Sequence, residues 1–184
     1  PWDEEIKVTF HCEPAKFKYA IRIPGWCENY QLFLNGDPVE GQVREGYAYF
    51  DRVWKEGDTI TAKFEMPVLM VEANPRVRKD LGKVAVTRGP LVYCLEGVDN
   101  GEDLHRIYLG EHPQFVCKWE PDLLDGVVSI TAKGEKMKQD NWDENTLYRI
   151  RGPVSYEEKT LKFIPYYAWA NRGENEMIVW VNRK

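Results

Sequence analysis

Residues 83–96, KVAVTRGPLVYCLE, decide the fold, because two short apolar runs flank an Arg-Gly-Pro turn. Both runs are rich in β-branched and aromatic residues, which favour strands, and Gly89-Pro90 favours a tight turn. We therefore predict two sheet strands joined by this turn. The side chains predicted to be buried are Val84, Val86, Val92 and Cys94.

Outward from this stretch, apolar and polar residues alternate with a period of two, which is typical of strands with one buried face. Residues 17–23, FKYAIRI, and 59–65, TITAKFE, are the clearest examples. Asn35-Gly36 predicts a hairpin, since both residues tolerate positive φ. The other strand candidates are EIKVTF, YQLFL, GYAYFD, RIYLG, QFVCKW, VVSITA, LYRIR, LKFIPYY and MIVWV. The polar stretch 134–145 is predicted to be a surface loop.

This spacing of short strands and turns predicts an all-β protein built from antiparallel, jelly-roll-like β-sandwiches. A chain of 184 residues can hold two small ones. An apolar run ends at Asn74-Pro75, so we predict one sandwich at 1–74 and a second, C-terminal sandwich at 75–184. The first is small and is predicted to be incomplete at its N-terminus. The sequence begins with Pro1 instead of Met, so we expect a longer parent protein.

The formal net charge is -5, with acids and bases mixed along the chain. No basic stripe is available for phosphate groups, so we predict no nucleic-acid partner. No apolar run approaches the ~20 residues that span a bilayer, so no membrane partner is predicted. The compartment stays open between the cytoplasm and a periplasmic or secreted location.

The four cysteines, Cys12, Cys27, Cys94 and Cys117, are widely separated, and we predict free thiols. No Cys-x-x-Cys pair and no close Cys/His spacing occurs. A zinc site that combines His112 and Cys117 has no support from spacing. We predict neither a metal nor a cofactor site.

Acidic residues cluster at the end of residues 83–96 and just beyond it, at Glu96, Asp99, Glu102 and Asp103. A glycosidase needs two carboxyls that face one sugar, and these come as a rule from different elements of a cleft. An acidic loop between strands is more often solvated. We therefore predict no catalytic residue in this chain.

The segment 164–173, IPYYAWANRG, combines aromatic rings with polar groups. Flat rings beside hydrogen-bonding side chains suit the faces of sugars, but the same rings also fill sandwich cores and domain interfaces. Sugar contact and interdomain contact both remain open for these residues. The candidates are Tyr166, Tyr167, Trp169, Asn171 and Arg172.

Four stretches together resemble the C-terminal region of glycoside hydrolase family 127, the β-L-arabinofuranosidase group. They are PWDEEIKVTF, RIPGWC, NPRVRKDLGKVAVTRGPLVYCLEGVDN and IPYYAWANRGENEMIVW. The resemblance implies two β-sandwiches that follow an (α/α)6 catalytic barrel. It also implies a barrel reaction that uses a zinc-held cysteine nucleophile, a glutamate and an adjacent Cys-Cys pair. No Cys-Cys pair occurs in this chain, so no catalytic role transfers to any of its residues.

Two interpretations follow. In the first, the chain is the non-catalytic part of a glycoside hydrolase, supports the barrel as its partner, and contributes to a homodimer through the C-terminal sandwich. In the second, it is an autonomous carbohydrate-binding module. Apolar surface left for the barrel favours the first interpretation, and an exposed aromatic platform favours the second. The buried character predicted for residues 83–96 favours the first.

Overall fold

The computed structural model describes residues 1–139, 142–143 and 145–184. The chain forms two compact units, Pro1–Pro67 and Val68–Lys184. Strands dominate both units, which confirms the prediction of an all-β fold with antiparallel sheets. The boundary lies earlier than the predicted position after residue 74. The reason is that β8 (Val68–Glu72) pairs antiparallel with β9 (Lys83–Arg88) and so belongs to the second unit.

The first unit is a sandwich of two sheets, one with four strands and one with three. The four-stranded sheet has the order β1-β7-β3-β4, and the three-stranded sheet has the order β2-β6-β5. The strands are β1 (Glu5–Thr9), β2 (Ala15–Arg22), β3 (Tyr30–Leu34), β4 (Asp37–Pro38), β5 (Gln42–Arg44), β6 (Tyr47–Trp54) and β7 (Thr59–Phe64).

Period-two alternation builds the core of this unit as predicted. Alternate residues of β6 and β7 are buried, and they form one cluster with residues from β2 and β3. Trp54 lies at its centre, stacked on Phe10 with ring centroids 4.1 Å apart, and its indole nitrogen donates to the carbonyl of Phe17 at 3.1 Å. A buried indole therefore keeps its one donor satisfied.

Two-residue turns set the register on both sides of this unit. Asn35 and Gly36 have φ values of 52° and 92°, and they join β3 to β4 in the predicted hairpin. Glu45 and Gly46 have φ values of 51° and 78° and join β5 to β6 in the same way. Positive φ at both central positions matches the right-handed twist of the flanking strands.

The second unit has a single sheet of nine strands. Its strands are β8, β9, β10 (Leu91–Glu96), β11 (Ile107–Leu109), β12 (Val116–Glu120), β13 (Val127–Met137), β14 (Tyr156–Pro165), β15 (Met177–Ile178) and β16 (Val181–Arg183). Short helical turns lie at Arg78–Asp80, Leu104–Arg106 and Tyr166–Ala168, and α1 spans Gly97–Asn100. The pairing runs β10-β14-β13-β11-β16-β9 and returns to β10 through the β9–β10 hairpin. The sheet therefore closes around one apolar core.

Residues 83–96 form the predicted hairpin, with Leu91 opposite Arg88 and Gly89-Pro90 in the turn. Val84, Val86 and Cys94 are buried as predicted. The prediction for Val92 is wrong, because its side chain is 41% exposed. Tyr93 and Leu95 point into the core. The opposite face of β10 is covered near its end at Glu96, where residues 166–172 lie over it.

The predicted strand LYRIR is also wrong, since residues 148–155 adopt no regular structure. β13 instead continues to Met137, and its residues from Ile130 to Met137 pair with β14, which begins at Tyr156. The predicted polar loop is therefore shorter than 134–145, and its residues 140, 141 and 144 lie outside the described residues. No helix within the described part of the chain is long and apolar enough to cross a membrane.

Candidate functional site

The aromatic segment predicted as a contact site lies where β14 ends. Pro165 closes the strand, and Tyr166–Ala168 forms a helical turn in which only Ala168 is buried. Tyr166, Tyr167 and Trp169 are all exposed at the surface of the second unit. Their rings therefore do not fill the core of the second unit, and contact with a sugar or with another domain both stay open.

Arg172 connects this segment to two acids near the end of β10, Glu96 and Asp99. Its Nη2 donates to Oε2 of Glu96 and to Oδ2 of Asp99, each at 2.5 Å, and its Nε donates to Glu96 at 3.1 Å. The second oxygen of Glu96 accepts from the backbone N–H of Ala170 at 2.9 Å. We call Glu96, Asp99 and Arg172 the Arg172 cluster. Both oxygens of its buried carboxylate are hydrogen-bonded, as a buried charge requires.

Further hydrogen bonds hold α1 against the segment that follows Arg172. The backbone N–H of Gly97 donates to the carbonyl of Glu176 at 2.8 Å. The buried amide of Asn100 donates to the carbonyls of Glu96 and Lys162 at 3.0 and 2.9 Å, and its oxygen accepts from the N–H of Lys162 at 2.9 Å. Three chain segments distant in sequence are thereby tied together by satisfied buried polar groups.

Electrostatics agree with a structural role for this region. Burial lowers the pKa of the Arg172 guanidinium, but hydrogen bonds to Asp99 and Glu96 outweigh burial, so its pKa is raised. Burial raises the pKa of the neighbouring Cys94 thiol to about 12, and the charge of Glu96 adds to this effect. The thiol is therefore protonated at neutral pH and is a poor nucleophile.

The four acids at positions 96, 99, 102 and 103 all take part in contacts within the second unit. Glu96 and Asp99 both bind one guanidinium, that of Arg172. Asp103 binds Arg106, with Oδ2 2.5 Å from Nη2. The carbonyl of Glu102 accepts from Nζ of Lys136 at 2.5 Å. The carboxylates of Glu96, Asp99 and Asp103 thus hold arginines, and the absence of a catalytic residue from this chain stays a prediction.

The zinc chemistry that the resemblance implies has no assembled cysteine-containing ligand set among the described residues. Zinc binds thiolates, and Cys94 is fully buried with a raised pKa, while Cys27 is also buried with a raised pKa. Within the described ranges, the one group of three metal-ligand side chains close enough to share an ion contains no cysteine. It consists of Asp103, His105 and Glu176, whose donor atoms lie within 4.8 Å of one another.

Protein groups already occupy the carboxylates of that trio. Oδ2 of Asp103 accepts from Arg106, and Oε2 of Glu176 accepts from the backbone N–H of Leu104 at 2.9 Å. His112 and Cys117, considered from the sequence as zinc ligands, belong to no such group among the described residues. Sequence reasoning missed the pairing of Arg172 with Glu96. Its only signal was an unmatched arginine and two acids near apolar strands, because the partners lie far apart in the chain.

The fold and these contacts define a class: two successive all-β units that carry no assembled catalytic pair among their described residues. Two family profiles match the chain. The glycoside hydrolase family 127 C-terminal domain matches residues 68–182, and the β-L-arabinofuranosidase GH127 middle domain matches residues 1–66. The chain belongs to glycoside hydrolase family 127. Both matches meet at the unit boundary of the structure.

Known relatives extend well beyond this chain. It is 37% identical to a non-reducing end β-L-arabinofuranosidase of Bifidobacterium longum subsp. longum, with 100% of this chain and 29% of the relative covered. A crystal structure of a GH127 β-L-arabinofuranosidase from Geobacillus stearothermophilus T6 matches with 43% identity and a TM-score of 0.94, over 100% of this chain and 29% of that chain. A GH127 β-arabinofuranosidase structure matches with 36% identity and a TM-score of 0.88, over 100% and 30%. The chain thus spans less than a third of the length of these relatives.

Proposed function

We propose that this chain is the non-catalytic β-sandwich portion of a glycoside hydrolase that removes β-L-arabinofuranosyl units from the non-reducing ends of its substrates. The observation that carries the proposal is the match of both units, end to end, to the last two domains of one hydrolase family. Similarity to relatives that are named for this activity supports the substrate class.

Catalysis then belongs to a preceding barrel, which uses zinc as the family resemblance implies. The hydrogen bonds of Glu96 and Asp99 and the burial of the Cys94 thiol support the assignment of catalysis to the barrel. The sandwich units would serve the barrel by burying part of its surface.

A support role requires apolar surface for the partner, and residues 147–150 supply a candidate. Leu147, Tyr148 and Ile150 are 80%, 90% and 96% exposed, in a segment of no regular structure. Adjacent apolar side chains with so little cover are costly in water and mark interaction surfaces. We assign this segment to contact with the barrel. Pairing of two C-terminal units in a homodimer is a second use of the same surface.

The alternative, an autonomous carbohydrate-binding module, draws on the exposure of Tyr166 and Trp169. Exposed rings beside a polar anchor suit sugar stacking. Tyr167 makes a further interaction. The Arg172 cluster, however, holds this segment from beneath by structural contacts, which favours support as its main role.

The experiment is a substrate survey with the full-length protein. Aryl β-L-arabinofuranosides, their α-anomers and the corresponding arabinopyranosides are offered at equal concentration. We expect turnover of the β-furanoside alone, with release of L-arabinose. Turnover of only another glycoside would contradict the proposed substrate class, and no turnover of any glycoside would contradict the assignment as a hydrolase.

A further inference from the structure

The outer face of the three-stranded sheet in the first unit brings basic and aromatic side chains together. Tyr47 of β6 lies opposite Arg22 of β2 on one side and Arg44 of β5 on the other. Side chains of directly opposed residues share a face of the sheet. We call the outward residues of β2, β5 and β6 the basic face; they are Lys16, Lys18, Ala20, Arg22, Gln42, Arg44, Tyr47, Tyr49, Asp51 and Val53.

The opposite face of the same sheet is committed to the core. Ile21, Ala48, Phe50 and Trp54 are buried there, and each alternates in sequence with a residue of the basic face. The orientation of the basic face toward the outside of the unit is therefore fixed by the packing of its own strands. A register slip of one residue would exchange the two sets.

Charge is concentrated on this face against the trend of the whole chain. It carries the four cations Lys16, Lys18, Arg22 and Arg44 and one acid, Asp51, a formal charge of 4 − 1 = +3, whereas the chain as a whole carries -5. All four cations are exposed. The ion pairs found in the described ranges involve none of them.

Two aromatic rings lie between the cations. Tyr47 and Tyr49 have ring centroids 6.3 Å apart with an interplanar angle of 41°, and Cζ of Arg44 lies 5.5 Å from the centroid of Tyr49. The Tyr47 side chain is 39% exposed. A guanidinium stacked on a tyrosine is held in place, so less of its freedom is lost when it binds an anion.

We infer that the basic face binds an acidic polysaccharide, a polymer whose sugar units carry carboxylates. Tyrosine rings offer flat apolar surface to the C–H faces of sugars, and guanidiniums donate paired hydrogen bonds to carboxylate oxygens. Arg22 and Arg44 lie two strand spacings apart, roughly 10 Å, so a polymer with repeated carboxylates reaches both. This inference rests on the proposed function, because membership of a glycoside hydrolase family favours a glycan over a nucleic acid.

The basic face then acts as an anchor. It would hold the protein on acidic glycan to which arabinofuranosyl units are attached, while the barrel acts on their ends. Binding here raises the local concentration of substrate without any contact to the reacting bond. Hydrolysis of a small aryl glycoside should therefore not depend on this face.

The test is a calorimetric titration of the full-length protein with an oligogalacturonate, and with the same oligomer after its carboxylates are reduced to alcohols. The variant is Arg22→Ala/Arg44→Ala. The matched control is Lys7→Ala/Lys63→Ala, which removes two cations from the outer face of the four-stranded sheet. A further variant, Tyr47→Ala, removes a ring without changing charge.

We expect the oligogalacturonate to bind and the reduced oligomer to bind at least about tenfold more weakly. Each lost arginine should weaken binding about tenfold, the equivalent of one charge-assisted hydrogen bond, and added salt should weaken it further. Tyr47→Ala should also weaken binding, and the control pair should match the parent within about twofold.

Equal binding by parent and arginine variant, or no binding of the acidic oligomer, would overturn the inference. Tighter binding of single-stranded DNA that displaces the oligomer would assign the face to nucleic acid instead. If the parent binds no glycan but self-associates, and the arginine variant does not self-associate, the basic face would be assigned to contact with a second copy of the protein. Turnover of aryl β-L-arabinofuranoside on the same samples separates failure of this inference from failure of the proposed function.

Discussion

Nη2 of Arg172 lies 2.5 Å from Oε2 of Glu96, a carboxylate with no solvent exposure, although 76 positions separate the two residues in the sequence. This pair links the aromatic segment to the end of β10. Burial makes it sensitive to change, because removal of either partner leaves the other charge without its counterpart in a poorly hydrated site.

Arg172→Ala should therefore destabilise the second unit by about 3 to 5 kcal/mol, since Glu96 would remain buried and uncompensated. Urea titrations followed by far-UV circular dichroism measure this loss. In the full-length protein, the thermal midpoint should fall while the Michaelis constant for an aryl arabinofuranoside stays unchanged.

The matched control for this change is Arg183→Ala, which removes an exposed ion pair with Glu72. It should cost less than about 1 kcal/mol. A tenfold rise in the Michaelis constant of Arg172→Ala with an unchanged thermal midpoint would show that Arg172 serves sugar binding and would contradict the structural assignment.

Two valines in residues 83–96 differ in exposure, since Val84 is buried and Val92 is exposed. Val84→Asp places an unpaired charge in the core of the second unit and should cost several kcal/mol, on the order of 4. Val92→Asp, on the exposed side of β10, should stay within roughly 1 kcal/mol of the parent. Urea midpoints of the two variants decide the matter, and equal destabilisation would show that the assigned faces of β9 and β10 are wrong.

Thiol reactivity should follow burial and pKa. Cys117 is exposed and should react first with a thiol reagent such as dithionitrobenzoate under native conditions at mildly alkaline pH. Cys94, with its pKa raised to about 12 by burial, should react only after unfolding in urea. Cys117→Ser should remove the fast phase; rapid labelling of Cys94 in the folded protein, located by peptide mass spectrometry, would be inconsistent with the structure.

Acid should weaken the first unit through Asp58. The amide of Asn35 donates to Oδ1 of Asp58 at 2.9 Å, and the N–H of Lys55 donates to Oδ2 at 3.1 Å. The hydrogen bond from Asn35 is the main cause that lowers the pKa of Asp58 in the folded state, and burial opposes it. Its contribution to stability is therefore present above the unfolded-state pKa of about 3.9 and is lost as the pH falls through the lower folded-state value.

Asp58→Asn is the test of that contribution. The difference in unfolding free energy between the parent and Asp58→Asn should be largest near neutral pH and should shrink as the pH falls below about 4. Urea titrations across this range measure it. A difference that grows toward acid would reverse the sign of the shift and refute the assignment.

Sequence patterns predicted the fold well wherever one face of a strand is buried. Alternation in 17–23 and 59–65 located β2 and β7, and Asn35-Gly36 located a hairpin, because these are local consequences of side-chain period and backbone φ. Val92 and LYRIR were misplaced, since cover over a strand and the availability of a pairing partner depend on the tertiary fold.

The candidate site shows the same limit. The composition of IPYYAWANRG identified a segment of interest, and the structure exposes its three rings. The partnership of Arg172 with Glu96, and the meeting of Arg22, Tyr47 and Arg44 on one sheet, arise from pairing between distant segments. Such long-range register is not encoded in any local pattern of the chain.

The most direct test of the central claim compares the 184-residue chain with the full-length protein in one assay, hydrolysis of an aryl β-L-arabinofuranoside, with metal content measured on both samples. The account predicts turnover and bound zinc in the full-length protein, and neither turnover nor stoichiometric zinc in the folded 184-residue chain. Turnover by the 184-residue chain alone would contradict it.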